Sequence, residues 1–370
     1  MKPTALALLL SAGVIASITP LNAQLFTRFN QLNTHVTLPQ GENNVAIPIK
    51  RTNLQLAQSN QALSANKLYI DVNDTKRSYY LFSGPSTSKK GIPLLVMLHG
   101  GAGSAESSIY ITRLGSLGPA SGVDVLFPEG SNLGHPFRWN TGLTTGTEID
   151  KVADTQFIDE LVKKYTSVER PVYLAGLSNG GMMVLKQLCN GKTSFNGAFV
   201  VAGGTSQQIL DSCNPKTKLP ILFVNGIQDS VVPYSGGLVI RGGRKKSLNF
   251  SETPLVSNTS LVDFWRRKNS CKDKSSYSAP LLHLRSDNNL RIKNFRLPPK
   301  QCYQTLSIAL YSGDHGWPIN TDELTWEQRM RLKLKQRVAG SLIGKNSVDP
   351  GNLDTTGVVL TLIKRWSSVY

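Results

Sequence analysis

An α/β fold built on a largely parallel sheet is what this sequence predicts, and three observations carry the expectation. Short, continuous apolar runs recur along the chain: LLVML at 94–98, VDVLF at 123–127, VYLA at 172–175, AFVV at 198–201, ILFV at 221–224 and LSIALY at 306–311. Between several of them lie helical patterns: DTQFIDELVKKY from Asp154, the segment after Ser178, SLVDFWRRK from Ser260 and DTTGVVLTLIKRW from Asp354. Strands buried on both faces lose polar alternation, and parallel neighbours need crossovers, so the two patterns together predict a mostly parallel central sheet with helices on both faces. The third observation is at the front, where KLYIDV and SYYLF alternate and are expected to form an antiparallel N-terminal edge.

The ends and interruptions set the organisation. MKPTALALLLSAGVIASITPLNAQ has a basic start, an apolar run from Ala5 to Ile18 and small residues before Gln24. It reads as a secretory signal peptide over 1–23, cut after Ala23, because the run is shorter than the ~20 residues a membrane span needs. No later segment is long and apolar enough to cross a bilayer, so the expected location is secreted or periplasmic. Residues 24–66, rich in Gln, Asn, Thr and Ser without a sustained period, read as an N-terminal extension, and 67–370 as one α/β domain. Two stretches interrupt its rhythm. The glycine-rich, basic 235–257 is expected to be a surface loop or cap. In 325–345, Thr325 and Gln328 resemble a capping box, and Trp326, Met330, Leu334 and Val338 share a face among Arg329, Arg331, Lys333, Lys335 and Arg337, which predicts a basic helical insertion.

Hydrophobic residues at 40% and charged ones at 18% fit a globular chain, neither disordered nor membrane-embedded. Lys and Arg outnumber Asp and Glu 41 to 24, a formal charge of +17. Such a surplus suits an anionic envelope or polymer surface; a merely solvated basic face is the plain alternative, and a signal peptide argues against nucleic acid as partner. Cys189, Cys213, Cys271 and Cys302 form an even set in a chain bound for an oxidising compartment. Three pairings are open; Cys189–Cys213 and Cys271–Cys302 close the shortest loops. No pair has Cys-x-x-Cys spacing, so no metal site is expected.

The chemistry concentrates at VYLAGLSNGGMM, Val172–Met183, where a strand pattern breaks into glycines around one serine and resumes as a helix pattern. Gly176-Leu177-Ser178-Asn179-Gly180 is G-x-S-x-G in the strand-to-helix setting that a nucleophile elbow requires. The glycines let strand and helix approach while Ser178 takes a strained backbone and exposes its hydroxyl. A serine hydroxyl needs a base, and the base an orienting acid, expected in the order Ser, Asp, His beyond late strands. ILFVNGIQDSVVPY delivers Asp229 and LSIALYSGDHGWP delivers His315. Of the other histidines, His35 lies in the extension, His135 in a loop and His283 in an apolar alternation, while His99 in LLVMLHGGAG is placed to brace its loop. Asp314 is too near His315 to reach round its ring, and Asp211 precedes its strand. An oxyanion hole would draw one N–H from Asn179 and a second from Gly101 or Ala102.

With these residues in place, the chain resembles the secreted polyhydroxybutyrate depolymerase and feruloyl esterase-like family of α/β-hydrolases. The likeness is carried by LLVMLHGGAGSAES, FPEGS, RWN at 138–140, VADTQFIDELV, VYLAGLSNGGMM, LPILFVNGIQDSVVPYSGG, FWRRKNSC and GDHGWP, across roughly 67–320. It implies an α/β-hydrolase fold, Ser178, Asp229 and His315 as a catalytic triad, a Cys271–Cys302 bridge and hydrolysis of carboxylic esters, polymeric or small, with no cofactor required. Trp139, Trp317 and His99 stand where they could contact substrate, and core packing is the competing role for both tryptophans. The rival functions are a serine peptidase with the same apparatus, and an envelope- or polymer-binding protein using the scaffold and its basic surface.

Overall fold

The structure is a computed structural model that describes residues 66–131, 138–144, 148–240, 253–270, 303–310, 313–319 and 353–369. The predicted signal peptide, the extension, the basic insertion at 325–345, most of the 235–257 stretch and the Cys271–Cys302 pair lie outside the described residues, as do His35, His135 and His283.

Strands β1 (Leu68–Val72) and β2 (Thr75–Phe82) form the expected antiparallel hairpin. Its turn residues Asn73 and Asp74 both have positive φ, the mirror-image turn whose twist matches paired strands. The sheet continues through β3 (Leu94–Leu98), β4 (Asp124–Pro128), β5 (Val172–Leu177), β6 (Gly197–Val201), β7 (Ile221–Gly226) and β8 (Thr305–Leu310) in the order β1-β2-β4-β3-β5-β6-β7-β8. β2 runs antiparallel to β4, and every later pairing is parallel. This is the α/β-hydrolase topology.

Period two inside the continuous apolar runs decides the two faces. Leu95 and Met97 of β3, Tyr173 and Ala175 of β5, and Leu222 and Val224 of β7 point to one core. It is closed by α1 (Ala105–Thr112), α2 (Leu114–Ala120) and α7 (Thr355–Val369). Leu94, Val96, Val172, Leu174, Ile221 and Phe223 point to the other. There α3 (Asp154–Tyr165), α4 (Asn179–Asn190), α5 (Gln207–Asp211) and α6 (Asn258–Lys268) pack. Trp366 of α7 stacks on Phe199 at 5.0 Å and on Tyr173 at 6.3 Å, docking the last helix on mid-sheet.

Three helices exceed the sequence expectation: α1 and α2, which pass together between β3 and β4, and the short α5. α1 is capped by Ser104, whose hydroxyl accepts the Ser107 amide; α2 carries Pro119, which masks its pattern. Cys189 at the end of α4 is bridged to Cys213 after α5, as the loop lengths suggested. Among the described residues no helix is long and apolar enough to cross a membrane.

Candidate active site

The loops leaving the carboxyl ends of β3, β5, β7 and β8 supply the site, the place where open α/β sheets bind ligands. Ser178 sits between β5 and α4 with φ 55° and ψ −118°, a conformation an L-residue adopts only under constraint. The constraint is steric. A Cβ on Gly176 would stand 2.3 Å from the Gly180 backbone, and one on Gly180 would stand 2.4 Å from the Leu98 carbonyl oxygen. The Ser178 amide donates to the Val201 carbonyl at 2.8 Å, and its carbonyl accepts the Met182 amide at 2.9 Å, which starts α4. Ser178 thus stands at a helix N-terminus, where backbone N–H groups favour negative charge.

His315, 9% exposed, lies 2.8 Å from Ser178 Oγ through Nε2. Its Nδ1 is 2.8 Å from Asp229 Oδ2. Asp229 Oδ1 accepts the backbone amides of Val231 and Val232, at 2.9 and 2.7 Å. An ionised carboxylate only accepts hydrogen bonds, so Nδ1 carries the proton and Nε2 is left to accept from the serine. The three residues predicted to act together are therefore one hydrogen-bonded array, with Asp229 and His315 buried and the Ser178 hydroxyl at a corner. Asp211 is elsewhere, bonded to Gln207 on the surface of α5.

The loops after β7 and β8 are bound together by a group the sequence reading set aside. Asp314 Oδ1 accepts the Ser230 amide and hydroxyl, each at 2.9 Å, and the His315 amide at 2.7 Å. Adjacency to His315 disqualifies Asp314 as the orienting acid and suits it to this crosslink. Gly226 permits the close approach, since a Cβ there would meet the Gly313 oxygen at 2.1 Å.

Burial separates the roles that the sequence leaves open for His99, Trp139 and Trp317. His99 is 1% exposed; its Nε2 accepts the Gly130 amide at 2.9 Å and its Nδ1 donates to the Gly100 carbonyl at 2.8 Å. Those bonds make it a brace for the turn after β3. Trp139 is 1% exposed and donates Nε1–H to the His99 carbonyl at 2.9 Å. Trp317, 2% exposed, packs in the core with α7 and donates to Thr356 at 3.1 Å. None of the three offers a free face to a substrate.

Asn179 and the Gly100-Gly101-Ala102 turn flank the serine. A Cβ on Gly100 would lie 3.6 Å from the Ser178 Cβ, so this turn abuts the Ser178 corner, and Ala102 has a positive φ of 62°. A buried polar group missed in the sequence stands behind them. Asp154, the first residue of α3, accepts Arg77 at 2.7 Å and the Asn140 amide at 2.7 Å, and the Arg77 guanidinium lies 4.1 Å over the Phe157 ring. Half-buried Lys186 bonds the Asn140 carbonyl and side-chain oxygens, both at 2.9 Å. Burial pushes its pKa below the ordinary 10.5, with Asp154 and Asp150 pulling the other way. RWN was visible in the sequence as a motif; its polar partners were not.

Compared with known proteins, residues 77–206 match the family described as Esterase PHB depolymerase. The proposed esterase NocK of Nocardia uniformis subsp. tsuyamanensis is 25% identical over 252 residues, 66% of this chain and 72% of that protein. This chain is a carboxylic ester hydrolase. The esterase is also 30% identical over 204 residues to feruloyl esterase B of Piromyces equi, 54% of the esterase but only 36% of that protein. Among solved structures, Est1E from Butyrivibrio proteoclasticus aligns over 74% of the esterase and 100% of its own chain at 15% identity, with a TM-score of 0.39. So distant a likeness adds nothing to the fold, which is read from the strand order above.

Proposed function

We propose that the esterase works by acyl transfer through Ser178. In this reading Ser178 Oγ attacks the ester carbonyl and passes its proton to His315 Nε2. Asp229 holds the imidazole and stabilises its charge, and the amides of Asn179 and Gly101, or its neighbour Ala102, bind the oxyanion. The tetrahedral adduct collapses as His315 protonates the leaving alcohol. Water, deprotonated by the same imidazole, then attacks the acyl-enzyme and frees the acid. The observation that carries the reading is the unbroken Ser178–His315–Asp229 hydrogen-bond chain.

For the substrate, feruloyl and acetyl esters come first. The Piromyces equi relative is named a feruloyl esterase, and a Neocallimastix patriciarum relative, 28% identical over 157 residues, a bifunctional acetylxylan esterase/xylanase. Hydroxyalkanoate oligomers follow from the family description. Secretion is part of the same proposal, supported by the leader-like residues 1–23 and by the Cys189–Cys213 disulfide, a bond that persists in oxidising compartments. Docking of the basic surface on an anionic envelope rests on the charge of +17.

Turnover of p-nitrophenyl acetate, butyrate and octanoate, and of methyl ferulate, tests both mechanism and acyl preference. Ser178→Ala should cost on the order of 10⁶ in kcat, leaving only what the oxyanion hole supplies. A variant retaining a tenth of wild-type turnover removes Ser178 from the mechanism.

A further inference from the structure

Trp139 does more than fill space. It lies in the segment 138–140, outside any helix or sheet strand, and its two N–H groups go to two different elements, the first residue of α4 and the turn after β3. The backbone N–H donates to Asn179 Oδ1 at 2.7 Å, and the indole Nε1–H donates to the His99 carbonyl at 2.9 Å. Asn179 directly follows Ser178. His99 directly precedes the Gly100-Gly101-Ala102 turn. These are the two places, the start of α4 and the turn after β3, to which the proposed mechanism assigns the oxyanion amides, so a single residue spans the gap between them. The indole also lies against the His99 imidazole, with ring centroids 5.0 Å apart.

The strap is itself held from behind. Asn140 donates its amide to buried Asp154, which Arg77 neutralises, and its Nδ2 donates to the Asp150 and Val152 carbonyls, both at 2.9 Å. Lys186, two turns along α4 from Ser178, grips the Asn140 carbonyl. The 138–140 segment is thereby tied to α4 at both Asn179 and Lys186, and to the exit of β3 through His99. A tryptophan that merely packed would need one acceptor for its indole N–H, and any carbonyl would serve. Here the two donors go to the start of α4 and the turn after β3, which in the proposed mechanism must keep a set distance.

We propose that Trp139 is a positioning residue that sets the spacing of the two oxyanion-hole amides. The proposal rests on the Ser178 mechanism above. A donor displaced by a fraction of an ångström still permits substrate binding but stabilises the transition state less, so the loss should fall on kcat.

Two variants separate the two bonds. Trp139→Phe keeps the ring and the backbone donor but loses the bond to His99; Asn179→Ala loses the acceptor for the Trp139 amide while keeping its own backbone N–H. Each should lower kcat on p-nitrophenyl butyrate about tenfold, with KM within about twofold. Affinity for a phenylboronic acid, which forms a tetrahedral adduct on the serine, should fall by the same factor as kcat. If both variants keep kcat within twofold of wild type, or if kcat falls while boronate affinity does not, the proposal is overturned. Should Trp139→Phe fail to fold, Asn179→Ala decides alone. Failure of the underlying mechanism looks different: the boronate would bind wild type and Ser178→Ala equally, and the positioning role would fall with it.

Discussion

At the elbow, Ser178 is held by backbone against backbone. The Gly176 and Gly180 positions leave no room for a Cβ, the Val201 carbonyl takes the serine amide, and no side-chain hydrogen bond caps α4 at this serine. Across the imidazole, Asp229 and His315 are held by side chains on amides. Asp229 folds back on Val231 and Val232, and Asp314 bridges Ser230 to the His315 backbone. Close packing of backbone is all-or-none, because peptide atoms cannot yield to a methyl group; hydrogen bonds can be lost one at a time, each for a modest net cost. Ser178 is therefore built on the intolerant side of the site, and Asp229 and His315 on the graded side.

That contrast is most exposed at Gly176. Gly176→Ala should destabilise the fold by about 3 kcal/mol, the upper end for an overpacked position, with loss of activity following loss of folded protein. Urea unfolding measures it, and an alanine variant of wild-type stability would show that the elbow relaxes. On the polar side, Asp314→Ala should reduce stability by about 1–2 kcal/mol and kcat about fivefold, while Asp314→Asn, which keeps the accepting oxygen, should recover most of both. Equal behaviour of the two variants in turnover and urea midpoint would remove Asp314 as a crosslink.

The smallest effect is expected at Lys186, a polar support on the steric side. Its folded pKa lies below 10.5, so in the folded state its charge is held at a cost. The cost is carried in full below the folded pKa and relieved as pH rises toward the unfolded value, where the unfolded chain binds more protons. Over that window the lysine makes stability rise with pH. Urea midpoints of wild type and Lys186→Met at pH 7 and pH 9.5 should differ by an amount that moves in favour of wild type at the higher pH. A pH-independent difference would mean that the lysine is not perturbed by burial.

Much of this was legible in the chain because it is local. The run LLVML needs only its own five residues to declare a strand buried on both faces, and G-x-S-x-G needs only its two glycines and flanking patterns to declare a corner. Asp229 and His315 could be selected because few histidines compete and each follows a recognisable late strand. Helices α1, α2 and α5 were not legible, since none is long enough to establish a period and Pro119 interrupts α2. For Trp139 and Trp317 the choice between substrate contact and core packing stays open in the sequence, because residue type and neighbourhood do not report burial; the bracing role of His99 is legible from its place in the glycine-rich turn.

By itself, then, the sequence determined the strands, the long helices and the order Ser178, Asp229, His315, all of which follow from periodicity and turn chemistry within a few residues. Only the tertiary structure decided which polar groups meet. Trp139 finds both Asn179 and His99 forty positions away, and Asp314 finds Ser230 across 84. Parallel strands are joined by long crossovers, so neighbouring loop ends are distant in the chain, and no local pattern records that a tryptophan will be close enough to two of them to donate a hydrogen bond to each.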